Sequence, residues 1–134
     1  MAKLIQLNDS AGELYPKLFY KNYTITRIDN SYADATAVGR IALIRVGNVG
    51  FLHFNFFPSD SIPAGQNSFT EIGSFDCTLI RQSLHTVAGQ AGTATITVNI
   101  TTDGIVRILN GSSTASGTSG YRAVIPVIFT DDSN

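Results

Sequence analysis

Residues 93–101 alternate without a break: Ala94, Ile96, Val98 and Ile100 fall on one side, and Thr93, Thr95, Thr97, Asn99 and Thr101 on the other. Only an extended strand repeats every two residues, so this segment lies on a sheet with one apolar face and one hydroxyl-rich face. A lone strand cannot satisfy its backbone, and the flanking sequence supplies partners. Asp103-Gly104 is a hairpin turn into a further β-rich run at residues 105–109.

The same grammar extends backward. Residues 41–46 run into Gly47-Asn48 and then into residues 49–57. Both turn residues tolerate positive φ, which makes this a second tight hairpin. In its second arm Leu52, Phe54 and Phe56 share the core side, and His53, Asn55 and Phe57 the outer side. Pro58 to Gly65 is loop chemistry, and residues 67–75 are expected to form another strand. Residues 77–88 divide into two short strands, or a strand and an irregular link. Gly89 to Gly92 is a turn, and residues 110–120 form a loop of small residues. The last strand, 121–129, contains Pro126, which fits an edge position or a bulge. No helical periodicity appears. The expected fold is all-β: an antiparallel β-sandwich or jelly roll, or a small barrel.

Residues 1–40 have another character. They hold four of the five tyrosines (Tyr15, Tyr20, Tyr23, Tyr32) and five of the nine basic residues. Residues 20–28 alternate loosely enough to be one strand. This gives an expected division into an N-terminal arm or attachment segment, 1–40, that leads into or packs beside the main body, and a β-sandwich head domain, 41–134.

At 134 residues the chain has room for one domain with a real core. Cys77 stands alone, so no internal disulfide exists, and the zinc-finger type of metal site lacks its ligands. A net charge of −1 argues against nucleic acid. No apolar run approaches a membrane span. The N-terminus lacks the form of a signal peptide, so synthesis in a reducing cytoplasm is expected. Asp, Glu, Lys and Arg make up only 14% of the chain, against about 25% in an average soluble domain. Lysine is confined to Lys3, Lys17 and Lys21. Sheet edges in monomers are commonly guarded by lysine, so its shortage points to edges and faces covered by sister copies, or to a barrel closed on itself.

Catalytic motifs are missing. Neither His53 nor His85 accompanies a nucleophile elbow, and Asp60, Glu71, Asp76 and Asp103 pair across a site only if the fold converges them. No cofactor motif is present: residues 89–93 have no following lysine or helix to cradle a phosphate. Saccharide binding needs aromatic surface beside amide, imidazole, carboxylate or guanidinium groups that grip hydroxyls. The candidate ligand-binding residues on that chemistry are His53 and Asn55 on the outer row of a strand, Asp76, Arg81 and Arg122 at strand ends, and Tyr121 as a stacking ring. Phe57 is a further outward ring. Each also has a bland reading as solvated surface or an intersubunit ion pair.

The opening Ile5-Gln6-Leu7-Asn8-Asp9-Ser10-Ala11-Gly12-Glu13-Leu14-Tyr15-Pro16-Lys17 resembles the start of many tail-fibre and baseplate proteins of phages of Gram-positive hosts. Several further stretches resemble the head domains of siphophage receptor-binding proteins of the lactococcal type. They are Arg45-Val46-Gly47-Asn48-Val49, Ile62-Pro63-Ala64-Gly65, Ile72-Gly73-Ser74-Phe75 and Thr102-Asp103-Gly104-Ile105-Val106-Arg107-Ile108, followed by a closing apolar strand. The resemblance implies a homotrimer of β heads at the tail tip of a virion, binding host cell-wall saccharide without altering it. It also implies docking on other tail or baseplate proteins, assigned to residues 1–40. The chain departs from that family in lacking tryptophan and a long helical stalk. A second expectation is a structural virion adaptor or decoration protein that docks through its N-terminal arm. A weaker third is a small wall-trimming hydrolase.

Overall fold

The structure is a computed structural model that describes residues 20–90 and 94–130, together with the backbone of residues 8–9 and 12–13. Its elements in chain order are β1 (Asn8–Asp9), β2 (Gly12–Glu13), β3 (Tyr20–Tyr23), β4 (Thr26–Arg27), α1 (Ala35–Val38), β5 (Ala42–Val46), β6 (Val49–Phe56), β7 (Thr70–Ser74), β8 (Ser83–Ala88), β9 (Thr95–Ile100), β10 (Ile105–Leu109) and β11 (Tyr121–Ile128). All strand pairings are antiparallel among the described residues. One sheet has the order β11-β6-β5-β3, the other β4-β7-β10-β9-β8, and β1 pairs with β2 alone. The molecule is all-β and sandwich-like, one of the arrangements its alternation allows.

The two hairpins form where the turn residues stand. Val46 pairs with Val49 across Gly47-Asn48, with Gly47 at φ +63°. β9 and β10 pair from Ile100 and Val106 onward, and the turn between them carries Gly104 at φ +82°. Alternation then decides what is buried. Leu52, Phe54 and Phe56 of β6 point inward, as do Ile96, Val98 and Ile100 of β9. With Leu43, Ile72, Val106, Ile108, Ile125 and Val127 they form one continuous core between the sheets. Burying such a side chain contributes about 1.5–3 kcal/mol, so this row is the main source of stability.

The sheets are stitched along one side. Leu79 bridges to Phe129 and Gly89 to Tyr121, and the Ile80 N–H donates to the Ile128 carbonyl at 2.9 Å. At the other side the chain steps from β3 in one sheet to β4 in the other. Two loops at the far end of β6 and β11 are braced by buried amides and hydroxyls. The fully buried Asn110 donates to the carbonyls of Ile62 (3.1 Å) and Thr114 (2.9 Å), and its Oδ1 accepts from Ser112 Oγ (2.7 Å). Ser116 Oγ, also fully buried, accepts from the Ile62 N–H at 2.8 Å.

Four expectations need correction. The boundary at residue 40 does not divide the described residues: β3 and β4 each join a sheet, and Tyr23, Ala33, Ala37 and Val38 lie in the common core. Of the arm expected over 1–40, the rest lies outside the described residues apart from the backbone of β1 and β2. The single strand expected over residues 20–28 is two, because the chain changes sheets at Thr24-Ile25. A helical turn, α1, appears where no periodicity marked it; Asp34 caps it, its Oδ1 accepting from the Ala37 N–H at 2.8 Å. The strand expected over 67–75 is only Thr70–Ser74, since the preceding segment braces the loop around Asn110. The ambiguous stretch 77–88 is an irregular link followed by β8. Pro126 sits on the edge strand β11, in register with Phe51.

Candidate functional site

A strand with one face buried must present its other face, and register decides which side chains meet there. On the outside of the β6–β11 pair, Asn55 stands opposite Arg122 and His53 opposite Val124. Directly opposed residues lie about 5 Å apart at Cβ, close enough to interact. They do: Arg122 Nε donates to Asn55 Oδ1 at 3.1 Å. Around this pair lies an open depression of about 340 Å³ lined by His53, Phe54, Asn55, Arg122, Ala123 and Val124.

Just beyond β6, Phe57 is half-buried between two cations. The Arg40 guanidinium carbon lies 4.4 Å from its ring centroid and that of Arg122 5.4 Å. Such contacts contribute about 0.5–1 kcal/mol at exposed sites and restrain the arginines. Phe57 therefore serves to orient Arg122 more than to offer a free ring for stacking. Arg122 is held from two directions, by an amide oxygen and an aromatic face.

Of the six residues selected from sequence, the fold gathers three: His53, Asn55 and Arg122. Tyr121 is a correction. It begins β11 on the inward side, is fully buried, and cannot stack on a ligand. Its hydroxyl finds no hydrogen-bond partner among the described residues. Asp76 and Arg81 are exposed but belong to the opposite end of the molecule. The link that carries them joins β11 at Leu79–Phe129 and Ile80–Ile128. From Arg122 to Phe129 is about 23 Å at the rise of an extended chain, beyond any shared ligand of modest size.

Sequence reasoning missed Val124 and Arg40. Val124 was legible: it alternates with Arg122 and follows from the same outward row. Arg40 carries no such signal, because its approach to Phe57 depends on the turn after α1.

The groove offers imidazole, amide and guanidinium groups over an apolar wall, and no carboxylate among its lining residues. It can donate to and accept from hydroxyls through planar groups. Among the described residues no three of His, Cys, Asp and Glu gather closely enough to hold a metal ion. Remote from it, burial, and secondarily Asp76, push the Cys77 thiol from 9.0 to about 11. Comparison with known proteins adds no relative, since no protein-family model, no curated protein and no solved structure matches the chain.

Proposed function

We propose that this chain is the receptor-binding domain of a phage tail, a homotrimer of sandwich heads that binds a host cell-surface saccharide through the groove at His53, Asn55 and Arg122. It acts without chemical alteration of the ligand. The observation that carries the reading is the convergence, on one outer face, of three planar hydrogen-bonding side chains chosen from sequence on grounds of saccharide chemistry. The resemblance of the turn and strand segments to receptor-binding heads supplies the biological setting. In that setting the protein is made in the host cytoplasm without a signal peptide, is carried at the tail tip, and docks on neighbouring tail proteins through its N-terminal region.

The test is binding of the purified chain to a glycan array and to wall fragments from Gram-positive cells. Arg122→Ala is expected to weaken binding about tenfold or more, the loss of a hydrogen bond to a charged group. His53→Ala is expected to act in the same direction. Arg81→Ala, at the opposite end, serves as the control and leaves affinity unchanged. A folded wild-type protein that binds no wall glycan removes the reading, as does binding indifferent to Arg122.

A further inference from the structure

Phe57 is the meeting point of two cations from distant parts of the chain. Pro58 after it is buried, and Gly120 lies so close that a Cβ there would fall 2.6 Å from the ring's Cζ, so the ring has little room to turn. Arg40 reaches the ring from the turn after α1. That turn is held by the Gly39 N–H donating to the Ala35 carbonyl and the Ile41 N–H to the Val38 carbonyl, both at 2.9 Å. Burial of Ile41 leaves Arg40 outside, over the ring. Arg122 reaches the same ring from β11, where it stands opposite Asn55.

Two guanidinium carbons on one ring lie at most about 10 Å apart, one Debye length at 0.1 M salt, so each feels the other's charge. Among the described residues nothing negative offsets them: neither Arg40 nor Arg122 pairs with a carboxylate. Asp34 caps α1, and Asp60 stands exposed in the loop past Phe57, with no ion pair to either arginine. The lining of the adjoining groove adds no acid. A chain of net charge −1 has thus brought two like charges together on one face. Their donors are open as well. Arg122 spends Nε on Asn55 and keeps both Nη groups, while Arg40 makes no hydrogen bond among the described residues.

We infer that Arg40, Phe57 and Arg122 form an anion site at the end of the groove, which takes a phosphate or carboxylate group carried by the ligand. The inference deepens the saccharide reading and rests on it: the ligand is an acidic sugar, its hydroxyls on His53 and Asn55 and its charged group between the arginines. A planar guanidinium grips either oxyanion through two N–H donors, and such charge-assisted bonds are about twice as strong as neutral ones. The bound charge also offsets the repulsion between the two cations. Stacking on Phe57 holds both arginines in place, so less side-chain freedom is lost on binding.

Titration of the isotope-labelled full chain in about 0.1 M salt, followed by the arginine Nε–H resonances, tests this with glucose 1-phosphate, glucuronate, glucose and inorganic phosphate. Glucose 1-phosphate or glucuronate is expected to bind at least about tenfold more tightly than glucose, the worth of one charged hydrogen bond. The stronger of the two identifies the group. Arg40→Gln, at an exposed position, is expected to remove that preference while glucose binding and the thermal midpoint stay as in wild type. Arg81→Gln, exposed at the opposite end, is expected to keep the preference. Charged and neutral sugars that bind alike overturn the inference, as does a preference that survives Arg40→Gln. Inorganic phosphate that matches glucose 1-phosphate supports the anion site and counts against a sugar as its carrier. Wall-glycan binding that is lost in Arg122→Ala but indifferent to Arg40→Gln ends the inference and spares the saccharide reading.

Discussion

Two glycines with the same backbone sign have different reasons to be glycine. Gly47 has φ +63° and open space where a Cβ would stand, so Gly47→Ala meets only the conformational penalty, about 1 kcal/mol. Gly104 has φ +82°, and its Cβ would fall 2.3 Å from the Phe75 carbonyl oxygen, a backbone atom that cannot step aside. Gly104→Ala is expected to cost about 2–4 kcal/mol, read as a lowered urea midpoint. Equal losses at the two positions would show that φ alone sets the penalty. Both turns were legible in sequence; the crowding at Gly104 was not, because Phe75 comes from a different strand connection. Cys77 next to it makes a pH prediction. Its thiol ionises near about 11 in the native protein against 9.0 ordinarily. Between those values the folded state keeps a proton that the unfolded chain has released, so stability falls as pH rises through that window. The wild type is expected to lose more stability between pH 9 and 11 than Cys77→Ala does. Parallel pH profiles for the two proteins would show that the thiol contributes nothing to the loss.

At the level of elements, what alternates was readable and what is held by single polar side chains was not. The outward row of β6 was assigned residue by residue from periodicity, which is why His53 and Asn55 were found. β11 obeys the same rule, which buries Tyr121. Its tyrosine chemistry suggested an exposed tip, whereas its register with Phe56 turns the ring inward. The 110–120 loop was recognised from its small residues, but its order comes from the buried Asn110 amide. Asn110→Ala removes the amide's bonds to the Ile62 and Thr114 carbonyls and from Ser112, leaving those carbonyls only the Ser116 N–H and Ser112 Oγ, and is expected to destabilise by about 2–3 kcal/mol. Because that loop leads into β11, the same variant is expected to weaken glycan binding even where the protein remains folded. Urea denaturation and array binding measured on one preparation separate the two effects; unchanged stability would mean that water replaces the amide at no cost.

On the scale of the whole molecule, the fold itself accounts for part of the shortage of lysine. The sheets are stitched at β8–β11 and joined through β3–β4, so part of the edge protection that charges ordinarily provide comes from the fold itself. That closure leaves the outer face of the β11-β6-β5-β3 sheet apolar, with Val49, Phe51, Val124 and Ile128 exposed. The same topology decides how far the chain can be trimmed. Tyr23 stacks on Phe129 with ring centroids 5.5 Å apart, and its hydroxyl accepts from Arg45 Nη1 at 3.4 Å. Ala33, Ala37 and Val38 complete the same core, and β3 covers the outer edge of β5. Sequence composition set residues 1–40 apart because tyrosines and cations cluster there, but composition reports what a segment is made of and not which strand it pairs with. A chain beginning at residue 41 gives up Tyr23 and Val38, each worth about 2 kcal/mol of burial, together with two strand pairings. Against a total stability of about 5–15 kcal/mol, that loss leaves little margin. The 41–134 fragment is therefore expected to lack a cooperative thermal transition by circular dichroism, whereas a chain beginning at residue 20 keeps one. A 41–134 fragment that melts cooperatively near the full-length midpoint would mean that the head is complete without β3, β4 and α1, and that the arm begins where composition placed it.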